Sequence, residues 1–500
     1  MAPAEEPTAA TLAPPAPHFV LVPLAAQGHI IPMLDLARLL AERGARASLV
    51  TTPMNGARLR GIADQAARAK LALEVVELPF PTGIDGLPPG IENVDQVTDN
   101  NHFAPLLVDA LPRLAGPLEA YLRGLAARPS CIISDWCSGW TAGVATSLGI
   151  PLLFFHGPPC FYSLCDLNAI DHGLREQIAE AGDQERFVVP GMPVRVEVTK
   201  ATAPGLLNFP RLEALWVQCV EAMRTADGAV VNTFLDLEHQ FVACYEAALG
   251  KPVWTLGPFC LANKDAEAVA SRGNKADDVA RQSAVTAWLD ARDTDSVVYV
   301  NFGSVVRKHR RMLVEVGRGL EDSGKPFLWV VKEPEVAAPE VRGWLEALEA
   351  RTAGRGLVVR GWVPQLAILS HRAVGGFVTH CGWNSLLESI AHGVPVVTWP
   401  HISDQFLNER LAVDVLGVGV PVGVTEPVNL CEDENMPVGR EDVARAVSAL
   451  MGGGAEADER RMKAKKYGEE ARRAMAKGGS SYENLTRLIE SFGQRGGKQG

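Results

Sequence analysis

Short apolar runs alternate with amphipathic stretches along almost the whole chain. HFVLVPL (18–24) has the continuous apolar character of a strand buried on both faces. MLDLARLLAERG (33–44) carries its apolar residues at helical spacing and ends on a glycine stop, with AAQGHIIP between the two as a loop. ARASLVTTP, a helix near 55–69 and LALEVVELPF continue the alternation. Further strands follow at SCIISD (130–135), IPLLFFH (150–156), GAVVNTF (228–234) and KPVWTLGPF (251–259), with helical stretches between them. Uninterrupted apolar strands separated by helices predict parallel sheets covered on both faces. The period is lost from Leu261 to about Arg281 (LANKDAEAVASRGNKADDVAR), which reads as an interdomain linker. It resumes with SVVYVNFGS (296–304), PFLWVVK (326–332), LVVRGWV (357–363), VGGFVTH (374–380) and PVVTWP (395–400), and helices dominate from about 439 to 492. The prediction is an α/β protein of two doubly wound domains, 18–260 and 282–475, behind an Ala/Pro-biased, disordered lead-in at 1–17. Ligands of such sheets bind beyond the carboxyl ends of the strands, so two facing sheets would enclose a cleft.

The length of 500 residues also calls for more than one core. Lys and Arg total 48 against 59 Asp and Glu, a net charge of −11, which argues against a nucleic acid as main partner but not against a small anionic ligand. Nine scattered cysteines without a CxxC pair fit neither a disulfide framework nor a zinc module, and agree with a reducing compartment. No run of 18 apolar residues is long enough for a membrane span. The first 17 residues lack the basic and apolar regions of a secretory signal and the arginines of a transit peptide. A cytoplasmic enzyme, monomeric by default, is the expectation.

Several motifs imitate known sites. Gly319 to Lys325 matches the start of a phosphate-binding P-loop, but Pro326 stands where Ser or Thr should be and the segment ends a helix before a strand, so a helix C-cap is expected. Asp293-Thr-Asp295 resembles a metal-binding DxD but lies in the turn before a strand. No GxGxxG follows a strand, and His380-Cys381 has no further ligands at metal spacing.

The chemistry concentrates in residues 362–405, WVPQLAILSHRAVGGFVTHCGWNSLLESIAHGVPVVTWPHISDQ. A strand ends at His380, and a helix begins just after Gly382 with Asn384 and Ser385 in its first turn. A glycine-preceded helix N-terminus offers free N–H groups and the positive end of its dipole to a diphosphate. Glu388, three residues after Ser385, could instead complete a capping box. A second strand ends at Trp399-Pro400, and Asp404-Gln405 follow with the carboxylate and amide that read sugar hydroxyls.

This 44-residue segment closely resembles the C-terminal signature box of plant UDP-dependent glycosyltransferases, with no gap. PLAAQGHIIPMLDLARLL, IISDW and VYVNFGS extend the resemblance over nearly the whole chain. It implies a GT-B fold, two Rossmann-like domains facing across a cleft, with a final helix (476–492) crossing back to the first domain. The second domain would hold the nucleotide sugar and the first the acceptor. By position, Trp362 would stack on uracil with Gln365 nearby, and Glu388 would accept from the ribose hydroxyls. His380, Asn384, Ser385 and Ser304 would hold the diphosphate, and Trp383, Asp404 and Gln405 would contact the sugar. A terminal Gln in this box goes with glucose donors, so UDP-glucose is the expected co-substrate, with no cofactor and no metal. One departure is the basic run VVRKHRRM (305–312), read as a solvated helix face.

The same resemblance assigns His29 as general base and Asp135, at the end of SCIISD, as the acid that orients it and stabilises its imidazolium. It implies an acceptor that is a small lipophilic plant metabolite: a flavonoid, other phenolic, terpenoid, steroid or hormone. Phe103, Trp136, Trp140, Phe154, Phe155, Phe161 and Trp216 are candidates for its pocket, although aromatics near strand ends serve equally as core. A nucleotide-sugar binding protein without catalysis would lack the base or its partner, and an oxidoreductase would carry the missing glycine fingerprint.

Overall fold

The computed structural model describes residues 16–183, 185–205, 211–262, 277–303, 310–427 and 438–493. The lead-in apart from its last two residues, most of the expected linker, Ser304 and the first five residues of the basic run lie outside these.

The first domain is a seven-stranded, all-parallel sheet. Its strands are β1 (His18–Val22), β2 (Arg46–Thr51), β3 (Leu73–Glu77), β4 (Cys131–Asp135), β5 (Leu152–His156), β8 (Gly228–Val231) and β9 (Val253–Thr255), in the order β3-β2-β1-β4-β5-β8-β9. Between β5 and β8 a small antiparallel pair, β6 (Phe187–Val188) and β7 (Glu197–Val198), adds a hairpin that the apolar pattern does not reveal. The second sheet holds β10 (Val297–Asn301), β11 (Phe327–Val331), β12 (Gly356–Arg360), β13 (Val374–Thr379), β14 (Val396–Thr398) and β15 (Gly419–Pro421), in the order β12-β11-β10-β13-β14-β15. In both sheets the order reverses beside the first strand, which opens a crevice between β1 and β4 and another between β10 and β13.

Helices covering the sheets include α1 (Gln27–Glu42), α2 (Pro53–Arg68), α3 (Cys160–Asp171), α4 (Asp277–Asp290), α5 (Arg310–Asp322), α6 (Trp383–His392), α7 (Gln405–Arg410), α8 (Arg440–Met451), α9 (Ala455–Met475) and α10 (Ser480–Gly493). Two boundaries correct the sequence reading. Helix α1 starts at Gln27, six residues before the periodic stretch, because its first turn holds Gly28 and its second Pro32, both of which read as loop residues. Helix α4 begins at Asp277, inside the segment taken as linker. The P-loop lookalike closes α5, with Gly324 at φ 65 in the left-handed region before β11. Arg310 and Arg311 at the end of the basic run are exposed, while Met312 beside them is buried.

Alternate residues of each central strand enter different cores. Phe19, Leu21, Ile133 and Phe155 pack with Leu485, Leu488 and Phe492 of α10, whereas Val20, Ile132 and Phe154 join a cluster that runs on into the second domain through Tyr299 and Leu386. Helix α10 is thereby fastened to the first sheet. Phe492 packs edge-on against Phe19 at 6.3 Å, Ser481 Oγ donates to the Gly257 carbonyl at 2.5 Å, and the Arg43 guanidinium lies 3.5 Å from the centre of the Tyr482 ring. No described helix is long and apolar enough to cross a membrane.

Candidate active site

His29 stands on the first turn of α1, just past the carboxyl end of β1. Ala26, at the N-cap, has no side chain that could cap the helix, and Asp95 supplies the missing acceptor. Its Oδ2 accepts from the Gln27 amide at 2.6 Å, and its own amide donates to Asn93 Oδ1 at 2.8 Å. The first turn is therefore held by a carboxylate from a short 3-10 turn (Val94–Gln96) far along the chain, favourably placed at the positive end of the helix dipole. Asp135 ends β4, the parallel neighbour of β1. Its Oδ2 lies 2.7 Å from His29 Nδ1, and its Oδ1 accepts from the Cys137 amide at 2.9 Å. Asp135 is buried, while the His29 side chain is 33% exposed. An ionised carboxylate only accepts, so Nδ1 carries the proton and the lone pair of the neutral ring is left on Nε2. Burial works against the imidazolium. The charge and hydrogen bond of Asp135, helped by Asp404 and Asp95, outweigh it and raise the His29 pKa above its ordinary value.

The opposite wall is built at the corresponding crevice of the second sheet. After β13 the chain passes through His380, Cys381 (φ 64) and Gly382 into α6, whose first-turn amides at Trp383, Asn384 and Ser385 have no partner within the helix. The His380 ring is packed between two glycines. A Cβ at Gly303 would come within 2.6 Å of His380 Cε1, and one at Gly382 within 2.4 Å of Nε2. Gly303 also has φ 72, so a side chain there would be strained as well as crowded. Gly303→Ala is therefore expected to push His380 aside and, with His380 at the diphosphate as the resemblance implies, to weaken UDP binding about tenfold, the equivalent of ~1.4 kcal/mol. Calorimetric titration with UDP measures this; unchanged affinity would disconnect His380 from the nucleotide.

Beside this wall, Gln365 ties several residues of the second domain together. Its Nε2 donates to Glu388 Oε2 at 2.8 Å and to Ser385 Oγ at 3.1 Å, while its Oε1 accepts from Asn301 Nδ2 at 2.9 Å. Glu388 thus faces Gln365 and the cleft; the helix cap is Gly382, and Ser385 with Glu388 does not form the capping box. Trp362 lines the same cleft, and its carbonyl accepts from Arg281 Nη1 at 3.4 Å. Arg281, on α4, had been hidden in the apparent linker. The cleft measures about 660 Å³ and takes Gln27, Gly28 and Asn232 from the first domain and Trp362, Asn384 and Glu388 from the second.

Three further placements revise the sequence reading. The Trp383 indole is buried and donates from Nε1 to the Asn232 carbonyl of the first domain at 2.8 Å, so only its backbone is available to a sugar. Gln405 is also less versatile than its side chain allows in isolation. Its Oε1 accepts from the His401 and Ile402 amides at 2.8 and 3.1 Å, which leaves Nε2 as the group it can offer. Asp404 accepts from Asn408 Nδ2 at 2.6 Å; burial pushes its carboxyl up to about 6, against the opposing pull of that hydrogen bond and then of His29.

None of the seven aromatic candidates lines this cleft. Phe155 stacks on Phe259, and Phe161 meets Phe241 edge-on at 5.0 Å; both are core residues because they lie on packed faces of β5 and α3. Trp136 and Phe154 cluster with His156 at the carboxyl ends of β4 and β5. Trp140 is buried at a small cavity by the carboxyl ends of β1 and β2, Trp216 lies under the Arg175 guanidinium, and Phe103 is half-buried in a helical turn just before residue 105.

Two facing doubly wound sheets, each with its functional groups at its own crevice, make this a GT-B glycosyltransferase. The family profile described as UDP-glucoronosyl and UDP-glucosyl transferase matches residues 214–426. UDP-glycosyltransferase 73E1 of Stevia rebaudiana is 42% identical over 94% of this chain and 95% of its own, and UDP-glycosyltransferase 73C3 of Arabidopsis thaliana is 41% identical over 96% and 97%. The chain belongs to the plant UDP-glycosyltransferase family and is an enzyme of that type. Among solved structures, Glycyrrhiza uralensis UGT73P12, complexed with glycyrrhetinic acid 3-O-monoglucuronide, superposes with a TM-score of 0.85 at 35% identity, covering 95% of this chain and 96% of that one. Phytolacca americana UGT2, complexed with UDP-2fluoro-glucose and pterostilbene, gives 0.73 at 26%, covering 95% and 100%.

Proposed function

We propose that the enzyme transfers glucose from UDP-glucose to a hydroxyl of a small lipophilic plant metabolite, with inversion to a β-glucoside. The observation that carries this reading is the 2.7 Å contact between Asp135 and His29 Nδ1, which leaves the lone pair of the neutral ring on Nε2 to act as the base. Nε2 takes the hydroxyl proton as the acceptor oxygen bonds to the anomeric carbon, and the bond from that carbon to UDP breaks on the far side. Asp135 stabilises the imidazolium. The charge that develops on the departing diphosphate meets the free amides of α6 and His380, with Ser304 assigned there by sequence position. Trp362 stacks on uracil beside Gln365, and Glu388 accepts from the ribose. Asp404 and Gln405 read the sugar, together with the backbone of Trp383. UDP-glucose acts as co-substrate without a further cofactor, and the enzyme works as a cytoplasmic monomer.

The preference for glucose rests on Gln405, whose only uncommitted end is a donor. Glucose and galactose differ at the 4-hydroxyl, and a buried polar group left unpaired by the wrong epimer costs ~1–3 kcal/mol, or roughly tenfold to a hundredfold in kcat/KM. UDP-glucose is expected to exceed UDP-galactose by that factor, and Gln405→Ala to narrow the gap by weakening use of glucose. An acceptor screen with both donors and mass detection tests this. Equal use of the two donors by the unmodified enzyme would overturn the donor assignment alone.

A further inference from the structure

Helix α1 contains Pro32 in its second turn. Proline has no N–H, so it cannot donate to the carbonyl four residues back. That carbonyl belongs to Gly28, whose peptide leads directly into His29. It accepts instead from Asn384 Nδ2 at 2.5 Å, across the cleft on the first turn of α6. The preceding residue, Trp383, bonds to the Asn232 carbonyl at 2.8 Å. Two consecutive residues at the start of the donor helix are therefore fastened to the backbone of the first domain, one of them at the peptide bearing the base. His29 is held on two sides: its ring by Asp135 and its peptide by Asn384.

We propose that Pro32 and Asn384 form a latch that couples occupation of the donor site to the position of His29. Pro32 keeps the Gly28 carbonyl open toward the cleft, and Asn384 engages it, so that ordering of the α6 N-terminus by a nucleotide also orders the α1 N-terminus. Pro32 is a positioning residue that acts through this carbonyl. The latch rests on His29 being the base, and it is indifferent to which sugar is transferred.

Pro32→Ala supplies an N–H that competes with Asn384 for the carbonyl, while alanine suits a helix interior. The expected result is a kcat about three- to tenfold lower, the scale of one weakened hydrogen bond, with the melting temperature kept or raised. In an Asn384→Ala background, which carries its own loss, Pro32→Ala should cost nothing further, because the two residues act through one bond. No effect of Pro32→Ala on the unmodified enzyme, or an equal loss in both backgrounds, would overturn the latch. Hydrogen exchange gives a readout independent of activity and applies even if Pro32→Ala proves unstable. UDP should protect the peptide amides of residues 24–34 in the unmodified protein and do so markedly less in Asn384→Ala at saturating UDP; equal protection rejects the proposal. Full activity of His29→Ala would instead sink the assignment of the base while leaving the exchange result intact.

Discussion

His29→Ala is expected to lower turnover on an unactivated aliphatic hydroxyl by about 10²–10⁴-fold, the usual contribution of a positioned general base. UDP should still bind with near-unmodified affinity. The groups assigned to the nucleotide, from Trp362 to Glu388, belong to the second domain, and His29 is not among the residues that line the 660 Å³ cleft. Steady-state kinetics with a simple alcohol and a UDP titration, run on the same preparation, separate the two effects. A variant that retains near-normal turnover on such an alcohol would remove His29 from the reaction. An acidic phenol is the instructive control: its hydroxyl ionises readily without help, so the loss should shrink as acceptor acidity rises.

Asp135→Asn should cost about 10³–10⁴-fold in kcat, the scale seen when a base keeps its place but loses its orienting carboxylate. The amide is nearly the same size, so packing at the end of β4 is preserved. It can, however, donate toward Nδ1, which favours the tautomer with the proton on Nε2, the nitrogen that must be free. The pH profile gives a second readout with a definite sign. As the proposed base His29 acts when neutral, so the rate is expected to rise as pH passes up through its folded pKa, which the Asp135 charge and hydrogen bond raise against the effect of burial. Removing that charge lowers the pKa, and the acid limb of the residual activity should move to lower pH. A limb that stays in place would mean that His29 is not the titrating group or that Asp135 does not act on it.

These two residues show how far local sequence carries. Asp135 ends, and His29 follows, a strand that is evident from its apolar run, so their placement at the carboxyl end of the first sheet follows from pattern and topology. The wall that begins α6 is more legible still. His380, Asn384, Ser385 and Glu388 fall within one strand–turn–helix unit, whose geometry follows from neighbours a few residues apart. Asp95 left no such trace, because its function depends on reaching the Gln27 amide from a single 3-10 turn in a segment without apolar periodicity. Arg281 was obscured because the start of α4 is too polar to show an apolar face.

The sequence by itself determined the two doubly wound domains, the strands of both parallel sheets apart from the short β15, and the strand–turn–helix segment that ends in α6. All of these arise from periodicity and short-range turn chemistry. Only the tertiary structure decided where the side chains point. Both faces of β5 are buried, so its apolar run cannot distinguish Phe154, at the end facing His156, from Phe155, stacked on Phe259 in the other core. It likewise turned the Trp383 indole onto Asn232, engaged the carbonyl end of Gln405 with the backbone at 401–402, and extended α1 back through Gly28 to bring His29 within 2.7 Å of Asp135. Each of these outcomes is a directional hydrogen bond or a choice of packed face. Such choices are set by partners that meet only when the chain has folded, many of them far apart in sequence.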